Sequence, residues 1–259
     1  MPADWGYRSA LANLVLKDFR VRYRNMSLGI FWSLLNPLVM MGILTLVFTV
    51  VYRTRAVQHF PVFVLIGLLA YNFFSLCVTS MVTCIQDNEA MLKKLYFPRV
   101  LLPLSILASF GIHVLLQIGL LLVMILVRGI PFSIHFLWYP ATWAIILCFT
   151  LGIGLLVSTL CVFFLDTKYL VASGLSVFFW LTPVFYSLTT AHQTLPRWLY
   201  GAYLLNPLAG CIDAGRNAIL YQRAPDTVAF SFAAAVALAV LAIGWLVFRR
   251  YEFRLSDKI

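Results

Sequence analysis

A chain of 259 residues that is 63% hydrophobic and only 11% charged has too little polar surface to cover a water-exposed globule, which carries about 25% charged residues. A soluble enzyme or a soluble binding domain is excluded, and with a mean hydropathy of +0.94 most of the outer surface must face lipid. The formal charge of +10 sits in short gaps between apolar runs, the pattern of membrane flanks and anionic headgroups and not of a basic stripe for nucleic acid.

Residues 11–24 come first. Leu11, Ala12, Leu14, Val15, Leu16, Phe19 and Tyr23 fall on one broad side of a helix, with Lys17, Arg20 and Arg24 opposite. Asp18 and Arg22, four apart with the acid first, interrupt the apolar side at its edge. This predicts an interfacial helix lying in the headgroup plane. The apolar run 11–16 is too short for a signal-peptide core, and the basic cluster follows it instead of preceding it.

Charge-free runs mark the crossings, because a charge at the bilayer centre costs about 2.5–3.5 kcal/mol on insertion scales and a spanning helix needs about 20 apolar residues. Six such runs follow, at 25–52, 56–86, 100–127, 129–165, 169–196 and 227–248. They predict an all-α membrane protein in one domain, with spans near 30–52, 61–84, 100–127, 138–164, 169–188 and 227–248. The Pro- and aromatic-rich stretch 129–140 sets the start of the fourth near Trp138. Six crossings put both termini on one side. Of the 19 Lys and Arg residues, all but Arg53, Arg55, Arg128, Arg197, Arg216 and Arg223 fall on that side, so both termini are expected in the cytoplasm.

Between the second and third runs lies QDNEAMLKKLYFPR, residues 86–99. Asp87 can cap a short helix, and Glu89 and Lys93 are spaced for an i, i+4 pair. Pro98 pushes Phe97 towards extended backbone. A helix over 87–96 is expected, with Tyr96 and Phe97 at the membrane boundary. Residues 198–212 are apolar but too short to cross, and they contain Gly201, Asn206-Pro207 and Gly210. A re-entrant hairpin dipping in from the outer face suits them; an amphipathic segment on the outer leaflet is the alternative. The pentapeptide LLNPL occurs at 34–38 and again at 204–208. Asn before Pro is a natural helix start, so each copy reads as a cap.

Little in the sequence points to catalysis. Cys77, Cys84, Cys148, Cys161 and Cys211 lack C-x-x-C spacing and read as small packing residues, with no metal site. None of the five lysines follows a glycine, so no nucleotide-binding P-loop is present. His113 is the one ionisable residue deep in a span and reads as a packed side chain. The pairs Asp213/Arg216 and Asp166/Lys168 read as mutual neutralisation.

The runs KDFRVRYRNMSLGIFWSLLNPL (17–38), KKLYFPR (93–99) and LLNPL (204–208) resemble the permease subunits of type-2 ABC exporters for O-antigen, capsule and teichoic-acid polymers. The LG-x-x-W element (Leu28, Gly29, Trp32) and the Tyr-Phe-Pro-Arg element are the more specific, and the intact latter run favours the O-antigen branch. The resemblance covers essentially the whole chain. It implies the transmembrane subunit of an ATP-driven exporter, moving lipid-linked polysaccharide from cytoplasm to periplasm through a pore in the bacterial inner membrane. A permease homodimer would work with two ATP-binding cassette subunits. ATP and Mg would be bound there, with no cofactor and no catalytic residue in this chain.

By position, the resemblance makes Lys17, Asp18, Arg20, Arg22, Arg24, Asp87, Glu89, Lys93 and Lys94 the contacts that couple to the ATPase, with Arg20, Arg22 or Arg24 facing Asp87 or Glu89. Tyr96, Phe97, Pro98 and Arg99 would form the cytoplasmic gate. Trp198, Tyr203, Asn206, Pro207, Asp213 and Arg216 would belong to a periplasmic gate. Phe178, Phe179, Trp180, Phe185 and Tyr186 could offer sugar rings flat apolar faces along the pore, or serve as belt and core residues. Two rivals share parts of this reading: a type-2 exporter of a smaller lipid or drug, and an integral-membrane acyl or glycosyl transferase.

Overall fold

A computed structural model describes residues 3–23, 31–51, 58–93, 98–194 and 196–252. Among these the regular structure is entirely helical. Helix α1 is Ala3–Tyr23, α2 Phe31–Leu46 (extended as a π-helix over Val47–Val51), α3 Phe60–Val82 and α4 Glu89–Leu92. There follow α5 Leu101–Val127, α6 Trp138–Phe163 and α7 Thr167–Leu181. Last come α8 Leu188–Thr194, α9 Arg197–Leu204, α10 Pro207–Ile219 and α11 Thr227–Tyr251.

Among the described residues, five helical stretches are long and apolar enough to cross a bilayer: Phe31–Val51, Phe60–Val82, Leu101–Val127, Ile134–Phe163 and Thr227–Tyr251. The remaining expected crossing is shorter than the sequence suggests. Helix α7 has 15 residues, about 22 Å at 1.5 Å per residue, against a hydrocarbon core of about 30 Å. It stops because Thr182 takes extended backbone directly before Pro183, a residue that disfavours helix in its predecessor.

Helix α3 is the axis of the bundle. Of its most apolar window 78% is buried, against 6% for the window of α2. Helices α6 and α11 touch backbone to backbone where Gly152 faces Gly244; a Cβ on Gly152 would lie 2.7 Å from the amide nitrogen of Leu241. Small residues let helices approach this closely where no hydrophobic force drives them together in lipid. Two hydroxyls inside α6 close on their own helix: Thr150 donates to the carbonyl of Ile146 at 2.7 Å and Thr159 to that of Leu155 at 2.8 Å. No polar atom of these groups is then left facing hydrocarbon.

Three expectations change. The helix expected over 87–96 is, in its described part, a 3-10 turn (Gln86–Asn88) and the single turn α4. Asp87 does not cap it, because its carboxylate accepts from Thr83 Oγ1 at 2.7 Å. The hairpin expected over 198–212 is the pair α9 and α10, whose second arm continues to Ile219 and so takes in Asp213 and Arg216. The first LLNPL copy is no helix start. Pro37 lies inside α2, and Gln117 Nε2 donates to the carbonyl of Ser33 at 2.9 Å, four residues back, where the missing proline N–H would have pointed.

Candidate functional site

Among the described residues, the candidates gather at the two ends of the bundle, with a polar notch between them. At the α1 end, Leu14 is buried among Cys84, Ile85, Leu101, Leu102, Leu155 and Phe248. The packed side of α1 is narrower than the sequence suggests. Leu16 is 51% exposed, while Asp18 turns inward and accepts from Ser105 Oγ at 3.3 Å. A cleft of about 600 Å³ opens here, and Lys17, Asp18, Thr83, Asp87, Asn88 and Ser105 are on its wall.

Among the described residues, a side-chain hydrogen bond joins α1 to the 86–93 segment. Lys17 Nζ donates to Asn88 Oδ1 at 2.8 Å. Glu89 is engaged by Lys93 at 2.5 Å within its own turn, Asp87 by Thr83, and Arg20 is exposed. Local partners four residues away outcompete a long reach between elements. Arg99 bonds the carbonyl of Glu252 and its backbone N–H points at Glu252 Oε1, 3.3 Å away, so the start of α5 is tied to the end of α11. Pro98 lies just ahead of this tie. Arg24, Lys94, Tyr96 and Phe97 lie outside the described residues, as does the side chain of Arg22.

At the opposite end, α10 is packed on nearly every side: only Asp213 among its residues is not buried. Asn206 starts it twice over. Its Oδ1 accepts from Leu208 N at 3.0 Å, and its Nδ2 donates to Thr182 Oγ1 at 3.0 Å, which anchors the end of α7 to the hairpin. Pro207 follows as the first helical residue. Arg216 is 1% exposed and reaches three backbone carbonyls: Phe63 at 3.2 Å, Tyr186 at 3.0 Å and Val184 at 2.7 Å. Its guanidinium carbon stands 3.4 Å from the centroid of the Phe63 ring, a cation–π contact inside the protein.

Asp213 and Arg216 share no direct hydrogen bond, yet each is the other's leading charge partner, so the expected neutralisation acts through space. The carbonyl oxygens of the broken segment 182–187 take the guanidinium, and Asp213 accepts instead from Asn217 Nδ2 at 2.8 Å. A planar fork of donors suits several carbonyls at once. Gly67 makes room, since a Cβ there would meet Val184 O at 2.8 Å and Arg216 Nη2 at 3.0 Å.

Of the five aromatics singled out, four are woven into the bundle. Phe178 packs on Phe74 with ring centroids 5.5 Å apart, Phe179 on Tyr71 at 5.0 Å, and Phe185 on Phe48 at 5.3 Å. Tyr186 OH donates to the carbonyl of Trp180 at 3.2 Å and accepts from Tyr203 OH at 3.2 Å. Trp180 itself is 67% exposed and Trp198 76% exposed. Phe178, Tyr186, Tyr203 and Asn206 share a largely apolar cleft of about 610 Å³ with Phe149 and Leu181.

Sequence reasoning passed over the notch between α2, α3 and α5. It measures about 270 Å³ and its lining includes Trp32, Asn36, Asn72, Ser75, His113 and Gln117. His113 is stacked on Phe19 at 5.3 Å and edge-on to Phe110 at 6.0 Å, so it is a packed ring. The available signal was the placement of Asn36, Asn72 and Gln117 within charge-free runs, where uncharged amides pass unnoticed when only charges are counted. Among the described residues no cluster of His, Cys, Asp and Glu could hold a metal ion.

Residues 10–220 match the family model described as ABC-2 type transporter. The O-antigen export system permease protein RfbA of Myxococcus xanthus is 32% identical over 249 residues, covering 95% of each chain. RfbA of Klebsiella pneumoniae is 29% identical over 243 residues, covering 93% of this chain and 91% of its own. The polysialic acid transport protein KpsM of Escherichia coli is 25% identical over 248 residues, covering 92% of each.

Proposed function

The chain belongs to the ABC-2 type transporter family, and from that membership we propose that it is the membrane subunit of an ATP-driven polysaccharide exporter. The observation that carries this reading is the full-length similarity to an O-antigen export permease, 32% identical across 95% of both chains. The cargo is a lipid-linked, O-antigen-like polymer passing from the cytoplasm to the periplasm across a bacterial inner membrane. The chain hydrolyses nothing itself. Two separate subunits bind ATP and Mg, and two copies of this chain enclose the pore.

The faces left uncovered support a pore between copies. Only Pro37 of α2 and only Thr167 of α7 are buried. Asn36, Ser173 and Ser176 are exposed on these otherwise apolar helices, an arrangement that suits a facing protein surface or a watered path better than lipid tails. With α7 as the fifth crossing, completed by the segment 182–187, six spans leave both termini in the cytoplasm. Burial of Arg216 removes it from the outer-side charges and strengthens the Lys and Arg asymmetry behind that orientation. Partner movement would enter through α1 and the 86–93 segment, joined by Lys17 and Asn88.

The test is genetic and biochemical. Deleting the gene should leave the polysaccharide inside the cell, and the restored chain should return it to the surface. The chain purified alone should not hydrolyse ATP, while its complex with a co-expressed ATP-binding subunit should. Surface polymer at wild-type levels in the deletion strain would remove the reading.

A further inference from the structure

We infer that the polar cleft on the hairpin end is a weak binding subsite for a neutral, hydroxyl-rich saccharide. The inference rests on the export reading above and gives the outgoing polymer a contact point. The cleft holds about 620 Å³ between α8, α9, α10 and the approach to α11, and its wall carries His192, Tyr200, Asp213, Asn217, Arg223 and Asp226.

The polar groups form a directed chain. Arg223 Nε donates to Asn217 Oδ1 at 2.9 Å, and Asn217 Nδ2 donates to Asp213 Oδ2 at 2.8 Å. Among the described residues Asp213 Oδ1 accepts no hydrogen bond, and Asp213 is the one residue of α10 that is not buried. A carboxylate oxygen held in place by a chain of side chains and open to the cleft is a strong acceptor for sugar hydroxyls. Beside it, the rings of His192 and Tyr200 meet edge-on at 4.7 Å. Ring faces of this kind cover the C–H side of a pyranose.

Charge decides between ligand classes. Two carboxylates, Asp213 and Asp226, line the cleft with one guanidinium, Arg223, and the buried Arg216 acts on Asp213 from behind the wall. Asp226 Oδ1 already accepts from Val228 N at 2.9 Å at the mouth. The cleft thus offers no excess of cations to a phosphate headgroup or an acidic polymer, while a neutral glycan needs none. A single free acceptor and a pair of rings hold a passing chain without trapping it, as a transport path requires.

The test uses the complete complex with its ATP-binding subunits in lipid nanodiscs. The probes are the producing cell's own polysaccharide, freed of lipid by mild acid, and polysialic acid as an anionic comparison. Binding is read by saturation-transfer NMR and calorimetry. The freed polymer should bind where its repeat is uncharged, and polysialic acid should not. Asp213→Asn should weaken binding about tenfold or more at an unchanged melting temperature, the loss expected for a hydrogen bond to a charged group. If that variant melts earlier, His192→Ala, at an exposed position, carries the same readout and should also weaken binding. Wild-type affinity in both variants, or tighter binding of polysialic acid, overturns the assignment. Export is scored in parallel: failure of the wild-type chain to restore export sinks the parent reading, whereas restored export with unaltered variant binding sinks the subsite alone.

Discussion

Gln117 of α5 donates its side-chain amide to the carbonyl of Ser33 on α2 at 2.9 Å. That carbonyl is four residues before Pro37, which has no N–H to give it. A proline inside a span is tolerated when a neighbour supplies the missing donor, and here the same bond fastens an otherwise peripheral helix to the bundle.

Replacing Gln117 with Leu should therefore destabilise the protein by about 1 kcal/mol, and by up to about 3 kcal/mol if the carbonyl is left dry. In a Pro37→Ala background the restored N–H takes over the bond, and the same replacement should cost less. A double-mutant cycle on thermal unfolding in detergent measures the coupling; additive effects would contradict the geometry.

Arg216→Met keeps bulk and removes the fork from three carbonyls. A loss of about 3–5 kcal/mol is expected, the range for breaking a buried charged network. The measurable result is collapse of membrane-integrated protein. Arg216→Lys should rescue little, because one ammonium cannot span the carbonyls of Phe63, Val184 and Tyr186 in fixed directions. Gly67→Ala tests the same contact from the other side and should cost about 1–3 kcal/mol through overpacking against Val184.

Lys17→Ala and Asn88→Ala should each lower polymer export while leaving insertion and ATPase binding intact, since their mutual bond is a polar link between α1 and the 86–93 segment. Their effects should not add. Glu89→Lys places a cation beside Lys93, opens that segment's own ion pair and should likewise reduce export. Wild-type export in all three would remove these residues from the transmission path.

Ser173→Cys, on the exposed face of α7, should form a disulfide-linked dimer in oxidised membranes if α7 faces its counterpart. A cysteine in place of Leu155, which is fully buried, should not. Electrophoresis without reductant reads both.

The sequence by itself determined the solvent of this protein and the number of apolar runs. A residue's transfer cost to hydrocarbon is a local property, so charge-free stretches such as 100–127 announce their helices without reference to anything else. It likewise placed the start of α6 at Trp138 and the cap of α10 at Asn206, where Pro and Asn act on their own neighbours. Only the tertiary structure decided what Pro37 does, because whether an Asn-Pro pair opens a helix or sits within one depends on a donor arriving from α5, 80 residues further on in the chain. The same holds for Arg216. On a charge count it is an outer flank residue, yet among the described residues it is the largest fully buried side chain, because three carbonyls from distant segments converge on it. Hydropathy sums over neighbours in sequence, whereas hydrogen-bond satisfaction in a membrane is settled between neighbours in space.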